Sequence, residues 1–201
     1  MIARRLLLVL PAGLAACSVL PDRPYVPTER FPLEARRTGP PVARRGRRTL
    51  LVRTLRAGAG LDSRNLRVLR PDGTEQVEFY AEWVAPPAEG AEQSLRRWLI
   101  DARLFSAVLA PGSLLNPDFV LEGTITELIA DQARGSARAE LTLVLIDERN
   151  GGRLVGQMVS EGSAPLPGGT AEPRPDQAAG AMVVALGNAL ASLERALLRY
   201  A

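Results

Sequence analysis

Apolar and polar positions alternate most strictly over residues 136–147, where Ala137, Ala139, Leu141, Leu143 and Leu145 interleave with Arg138, Glu140 and Thr142. Successive side chains of a strand point to opposite faces, so this run predicts a strand with one face in a core and the other in water. Its neighbour is expected at 153–163, joined through Asn150-Gly151, a pair suited to a type I′ turn. A further strand is expected at 117–130, before this hairpin. A second hairpin is read at 66–70 and 75–84 around Pro71-Asp72-Gly73, because proline presets the turn and glycine supplies the positive φ. In its second arm Val77, Phe79, Ala81 and Trp83 are expected on the core face, with Glu78, Tyr80 and Glu82 on the wet one. The run Thr49–Arg56, closed by Ala57-Gly58-Ala59-Gly60, gives the first strand of the domain, and Leu104–Leu109 a short one.

The period changes to 3.6 twice. Pro86-Pro87 should end a strand and open a helix reaching about Arg103, with Ala91, Leu95, Trp98, Leu99 and Ala102 on one stripe. Glu89, Glu92, Arg96, Asp101 and Arg103 fall opposite, and Trp98 is expected between helix and sheet. A Pro/Gly-rich loop at 165–175 leads to a last helix from about Asp176 to Tyr200, with Met182, Leu186, Ala189, Leu190, Leu193 and Leu197 inward. The order β-β-β-α-β-β-β-β-α predicts a single α+β domain over 49–201, a mostly antiparallel sheet with both helices packed on one face. Exposed edges of such a sheet recruit other chains, which leaves a ring or lattice of copies open as a homo-oligomer.

The N-terminal pattern differs. Arg4 and Arg5 precede a short apolar run that ends in Leu14-Ala15-Ala16-Cys17. A positive start, an apolar stretch of 7 to 15 residues and small residues at a cut define a secretory signal. The run to Ala16 is broken by Pro11 and Gly13 and is far short of the roughly 20 apolar residues that span a bilayer. Residues 1–16 therefore read as a signal peptide cut after Ala16, with Cys17 as a lipobox cysteine that takes diacylglycerol and a further acyl chain such as palmitate. Residues 17–48 hold six prolines and eight arginines against three acids, and read as an extended tether beside the membrane. At about 3.1 Å per residue its 31 residues after the cysteine reach roughly 95 Å. Docking of Tyr25, Val26, Phe31 and Leu33 as an edge strand would shorten it.

Composition narrows the chemistry. The chain has no histidine and no lysine, and its single cysteine is spent on lipid. General bases near neutral pH, zinc ligand sets, Ser-His-Asp triads and Ser-Lys dyads each need one of those side chains. The expectation is a protein that is not an enzyme, with no catalytic residue, no metal and no cofactor beyond the covalent lipid. Carboxylate pairs survive on paper, Glu78 with Glu82 and Asp118 with Glu122, although even spacing in a half-exposed strand is usually its solvated face. Nucleic acid is not expected as a partner, because the basic residues concentrate in the tether and no aromatic residues are interleaved among them for stacking.

Several segments carry a resemblance in their order along the chain: Cys17-Ser18-Val19-Leu20-Pro21, Leu50-Leu51-Val52-Arg53, Gly60-Leu61-Asp62-Ser63-Arg64, Tyr80 and Trp83 before Pro86-Pro87, Leu95-Arg96 with Trp98-Leu99, and Leu104-Phe105 with Ala107-Val108. Together they resemble the ABC-type transport auxiliary lipoproteins, the PqiC-like group. The resemblance implies a lipoprotein of the outer membrane, facing the periplasm. Its partners would be an MCE-family protein with an ABC permease and ATPase, in a system that moves lipids between two membranes. Ser18 after the cysteine agrees with outer-membrane sorting. The alternative role is an independent outer-membrane assembly or envelope-integrity lipoprotein. Tyr80, with Glu78 and Glu82, is the expected partner contact, since tyrosine offers an apolar ring and a polar tip.

Overall fold

The computed structural model describes residues 25–42 and 46–201. Among the described residues nine strands and two helices form an α+β domain: β1 (Glu29–Phe31), β2 (Thr49–Val52), β3 (Arg56–Ala57), β4 (Asn65–Leu69), β5 (Glu75–Trp83), α1 (Pro87–Ala102), β6 (Ala107–Leu109), β7 (Phe119–Asp131), β8 (Ser136–Asp147), β9 (Arg153–Pro165) and α2 (Pro175–Leu197). Among the described residues no helix is long and apolar enough to cross a membrane.

The sheet is built on β7. On one side β7, β8 and β9 form a long antiparallel meander; β7 pairs with β8 from Phe119↔Asp147 to Asp131↔Ser136, with a one-residue shift of register between Ile125 and Glu127, and β8 pairs with β9 with a shift between Leu145 and Ile146. On the other side three short strands lie parallel to β7 in succession, β2 at 119–121, β3 at 124–125 and β4 at 130–131. Outside them lie β6 next to β2, and β5 then β1 next to β4. The long ladders are antiparallel, as expected, while β1 on β5 and β6 on β2 add parallel pairs at the edges.

Both helices cover one face. From the sheet come Leu121, Ile125, Leu128, Ala137, Ala139, Leu141, Leu143 and Leu145, and from α2 Met182, Leu186, Ala189, Leu190, Leu193 and Leu197, all buried. The α1 stripe is buried as read, with one correction. Glu92, expected on the wet face, is buried because its carboxylate accepts the backbone N–H of Leu55 at 3.2 Å and pairs with Arg96 at 2.9 Å. The expected continuous strand over 49–56 is therefore two pieces, with Leu55 turned into the core between them.

Two glycines of the meander are forced by packing. A Cβ on Gly162 would stand 2.1 Å from the carbonyl oxygen of Ala185 and 2.2 Å from the amide nitrogen of Ala189, so α2 lies directly on β9 there. Gly123 is similarly placed, 2.1 Å from the carbonyl oxygen of Thr142. Gly162→Ala is expected to push α2 off the sheet, costing about 1–3 kcal/mol as overpacking does. A thermal melt followed by circular dichroism should show the midpoint fall by several degrees, and an unchanged midpoint would remove this crossing.

The β8–β9 connection departs from the two-residue type I′ turn. Glu148–Asn150 form one 3-10 turn, and Gly151 and Gly152 both take φ 73°. Asp147 fixes this longer loop, accepting the N–H of Arg149 at 3.1 Å and the side-chain amide of Asn150 at 2.7 Å. Local hydrogen bonds from an Asx side chain compete with a tight turn, and here they win.

Part of the expected tether is folded onto the domain. Phe31 and Leu33 dock, while Tyr25 and Val26 stay exposed. Beyond β1, Leu33 and Ala35 are buried against α1, where the Ser94 hydroxyl donates to Leu33 O at 3.0 Å and accepts Ala35 N–H at 3.1 Å. Arg37 closes the segment onto α2 through a bidentate pair with Glu194, at 2.8 and 2.9 Å. Val42 N–H then reaches Ala102 O at 2.9 Å. The packed chain thus begins well before Thr49.

Candidate functional site

Leu14-Ala15-Ala16-Cys17 lies outside the described residues. The expected contact strand, β5, lies within them, and its geometry differs from simple alternation. Opposite β4 its register jumps from Asn65↔Glu82 to Arg67↔Val77, so two steps on β4 match five on β5. The extra residues form a wide bulge at Glu78–Ala81, held by the Asn65 side-chain amide donating to Glu78 O at 2.8 Å and by Trp83 N–H donating to Arg64 O at 2.6 Å. A bulge bends a strand and re-aims its side chains.

Ala81, at the end of the bulge, and Trp83 beyond it are buried as expected, whereas the apolar and aromatic residues before them on the strand are exposed. Phe79, assigned to the core by alternation, is 83% exposed, and Val77 is also exposed. Tyr80 is 55% exposed. Two adjacent aromatic rings therefore stand in solvent on one strand. Phe79 escaped sequence reading because a bulge leaves no apolar–polar signature.

Glu78 is half-buried and accepts the side-chain amide of Gln76 at 2.8 Å. Glu82 is occupied: Arg30 of β1 binds it at 2.8 Å and Arg64 at 3.4 Å. Its hydrogen bond to Arg30 holds the carboxyl below its ordinary pKa, with Arg64 adding to the effect. Of the three expected contacts, Tyr80 alone is both exposed and free of an ion pair. Glu82 instead locks β1 onto β5.

The other carboxylate pair is equally committed. Asp118 accepts Thr49 N–H at 2.7 Å, the Thr49 hydroxyl at 3.0 Å and Arg149 at 3.1 Å, and Glu122 binds Arg53 at 2.6 Å. The Thr49 amide is the main reason that the Asp118 carboxyl is held below its usual range. A glycosidase pair needs one carboxyl raised so that it can donate a proton, and Asp118 and Glu82 are shifted the other way. Among the described residues no cluster of three metal-ligating side chains occurs.

A second exposed apolar feature stands at the opposite end of β7. The 110–118 loop turns at Gly112, φ 87°, and presents Leu114 fully exposed and Leu115 largely so. Its base is fastened by Asp118, which binds Thr49 and Arg149. Asn116 and Pro117 line a shallow groove with Leu51, Arg53, Val120, Glu148 and Arg149. Pro111-Gly112 reads as a turn, but Leu114 and Leu115 follow no period; the signal they carry is Leu-Leu set between Pro-Gly-Ser and Asn-Pro, where turns ordinarily carry polar residues.

Solved structures share this fold. Protein XCC0632 from Xanthomonas campestris, of the family DUF330, superposes with a TM-score of 0.67 at 23% identity, over 87% of this chain and 94% of that one. The crystal structure of an uncharacterized protein gives 0.64 at 12% identity, over 85% of this chain and 99% of that one. No protein-family model and no curated protein sequence matches the chain. The likeness is one of fold.

Proposed function

We propose that this protein is a non-enzymatic lipoprotein anchored through Cys17 at the outer membrane, which docks an MCE-type ABC apparatus for intermembrane lipid transport. The observation that carries this reading is how the domain deploys its side chains. Its candidate carboxylates are each taken up by an arginine, by backbone or, for Glu78, by the side chain of Gln76, whereas Phe79 with Tyr80 and Leu114 with Leu115 are held out in solvent on hydrogen-bonded supports. Monomeric domains rarely expose apolar side chains in groups unless they bind something. The lipobox, the order of motifs shared with the transport auxiliary lipoproteins, and the fold shared with a DUF330 protein support the same reading.

Docking is tested with the MCE-type protein encoded nearest to this chain, purified and mixed with the full-length lipoprotein in detergent. Because Glu82 secures β1, a Glu82 variant would confound binding with local unfolding, so the informative change is Leu114→Ser with Leu115→Ser. Burying a leucine contributes about 1.5–3 kcal/mol, so loss of both should weaken the complex at least tenfold with no change in melting temperature. Failure of the wild-type protein to bind the MCE partner would sink this reading.

A further inference from the structure

The bulge of β5 and the lead-in to β1 lie at one end of the domain. β1 runs parallel to β5 with Glu29 opposite Ala81, so the residues before Glu29 arrive from the side on which Phe79, Tyr80 and Val77 stand. Tyr25 is 87% exposed and Val26 is exposed as well. Five apolar or aromatic side chains, none of them in the core, thus sit where the chain from Cys17 enters the fold. Leu114 and Leu115 precede the first residue of β7, whereas the bulged part of β5 lies across β4 from its last third, roughly 30 Å away at 3.3 Å per residue.

The covalent distance is short. Eight peptide steps separate Cys17 from Tyr25, a reach of at most about 28 Å. An acylated Cys17 sits at the headgroup level of the bilayer, so Tyr25 is confined to that distance from the membrane. Tyrosine and phenylalanine suit this boundary, where a ring meets acyl chains and a hydroxyl meets water. Charge adds little, because Arg30 and Arg64 share Glu82, Arg67 pairs with Glu75, and Glu29 on β1 and Glu78 on β5 offset the positive charge that remains.

We infer that Phe79, Tyr80, Val77, Tyr25 and Val26 form a membrane-contact face, seated on the phospholipid surface that carries the lipid of Cys17, so that the Leu114–Leu115 end points away from that surface. This rests on the reading of Cys17 as lipidated. It assigns Tyr80 to lipid rather than to a protein partner, and it expects binding through apolar contact that changes little with salt.

The test places a reporter on the face. Phe79→Trp and, as the distal control, Leu114→Trp are made in the full chain, where both native tryptophans, Trp83 and Trp98, are buried and give a constant background. Each lipoprotein is reconstituted in vesicles of phosphatidylethanolamine with a minor share of phosphatidylglycerol, with or without bromine on the acyl chains. The tryptophan of Phe79→Trp should shift to the blue and lose most of its emission to bromine at low and high salt alike, and that of Leu114→Trp should do neither. Equal behaviour of the two, or an unquenched Phe79→Trp, overturns the face. A blue shift at Phe79→Trp that appears only on adding the MCE-type protein, without bromine quenching, makes this surface a partner contact and also overturns it. Mass spectrometry of the N-terminal peptide separates the two readings. If it carries no lipid, the anchor at Cys17 falls, and the face then stands only if the unacylated protein is still quenched by brominated vesicles.

Discussion

Cys17→Ala is expected to abolish uptake of radiolabelled fatty acid by this protein and to move it from the membrane fraction to the soluble periplasmic extract. The effect should be near complete, because the described domain has no apolar helix of membrane-spanning length to substitute for the lipid. Each buried methylene contributes about 0.8 kcal/mol, and two or more chains hold a protein stably where a single chain binds only marginally. A membrane-contact face of five side chains, by comparison, supplies a weak and reversible attachment. The variant should therefore show residual vesicle binding that a Phe79→Asp change removes. Retention of label by Cys17→Ala would place the acylated residue elsewhere and end the lipobox reading.

What was legible in the sequence was whatever a local pattern encodes. The alternation of Ala137 to Leu145 gave β8 with both its ends, and the spacing of Met182 to Leu197 gave the buried stripe of α2. Pro86-Pro87 marked the start of α1, with Pro87 as its first residue. The parallel placement of β2, β3 and β4 along β7 had no such signal. Parallel pairs are joined by long connections, and nothing in Thr49–Val52 states that its neighbour is Phe119–Leu121.

Three of the misses share one cause, which is that a long-range or Asx hydrogen bond outbid the local pattern. Asn65 and Arg64 hold the bulge that frees Phe79, Leu55 draws Glu92 inward, and Asp147 converts a tight turn into a 3-10 loop. The contact surface was half legible. Tyr80 was expected on the wet face and is there, while the bulge hid the ring beside it and the Leu114–Leu115 pair lies in a loop without a period.

Trp98 illustrates how such a bond sets stability. It is 7% exposed, as its stripe with Leu95 and Ala102 required, but the contacts of its indole are with α2. Its Nε1–H donates to Glu194 Oε2 at 2.7 Å, the same carboxylate that Arg37 grips, and its ring passes close to Gly187. One carboxylate therefore joins α1, α2 and the segment leading from β1. Trp98→Ala removes the indole from between the helices and strips one partner from a mostly buried charge. Truncations of this kind cost about 3–5 kcal/mol, a large share of the roughly 5–15 kcal/mol that holds a domain together. At about 2–4 °C per kcal/mol for a domain of this size, the melting temperature should drop by roughly 6–20 °C.

Trp98→Phe keeps most of the volume and loses only the donor, so it should fall between the two. Acid separates packing from hydrogen bonding. Arg37 chiefly, with Trp98 assisting, holds the Glu194 carboxyl below the ordinary glutamate range. A depressed carboxylate contributes its full stability above the unfolded pKa, about 4.3, and loses that contribution as pH falls through the folded value beneath it. The gap in melting temperature between wild type and Trp98→Phe should accordingly be widest near neutrality and close as the pH is taken below about 4. A gap that stays constant with pH would show that Trp98 acts through its volume alone, and a Trp98→Ala protein that melts with the wild type would show that α1 and α2 are not joined at Glu194.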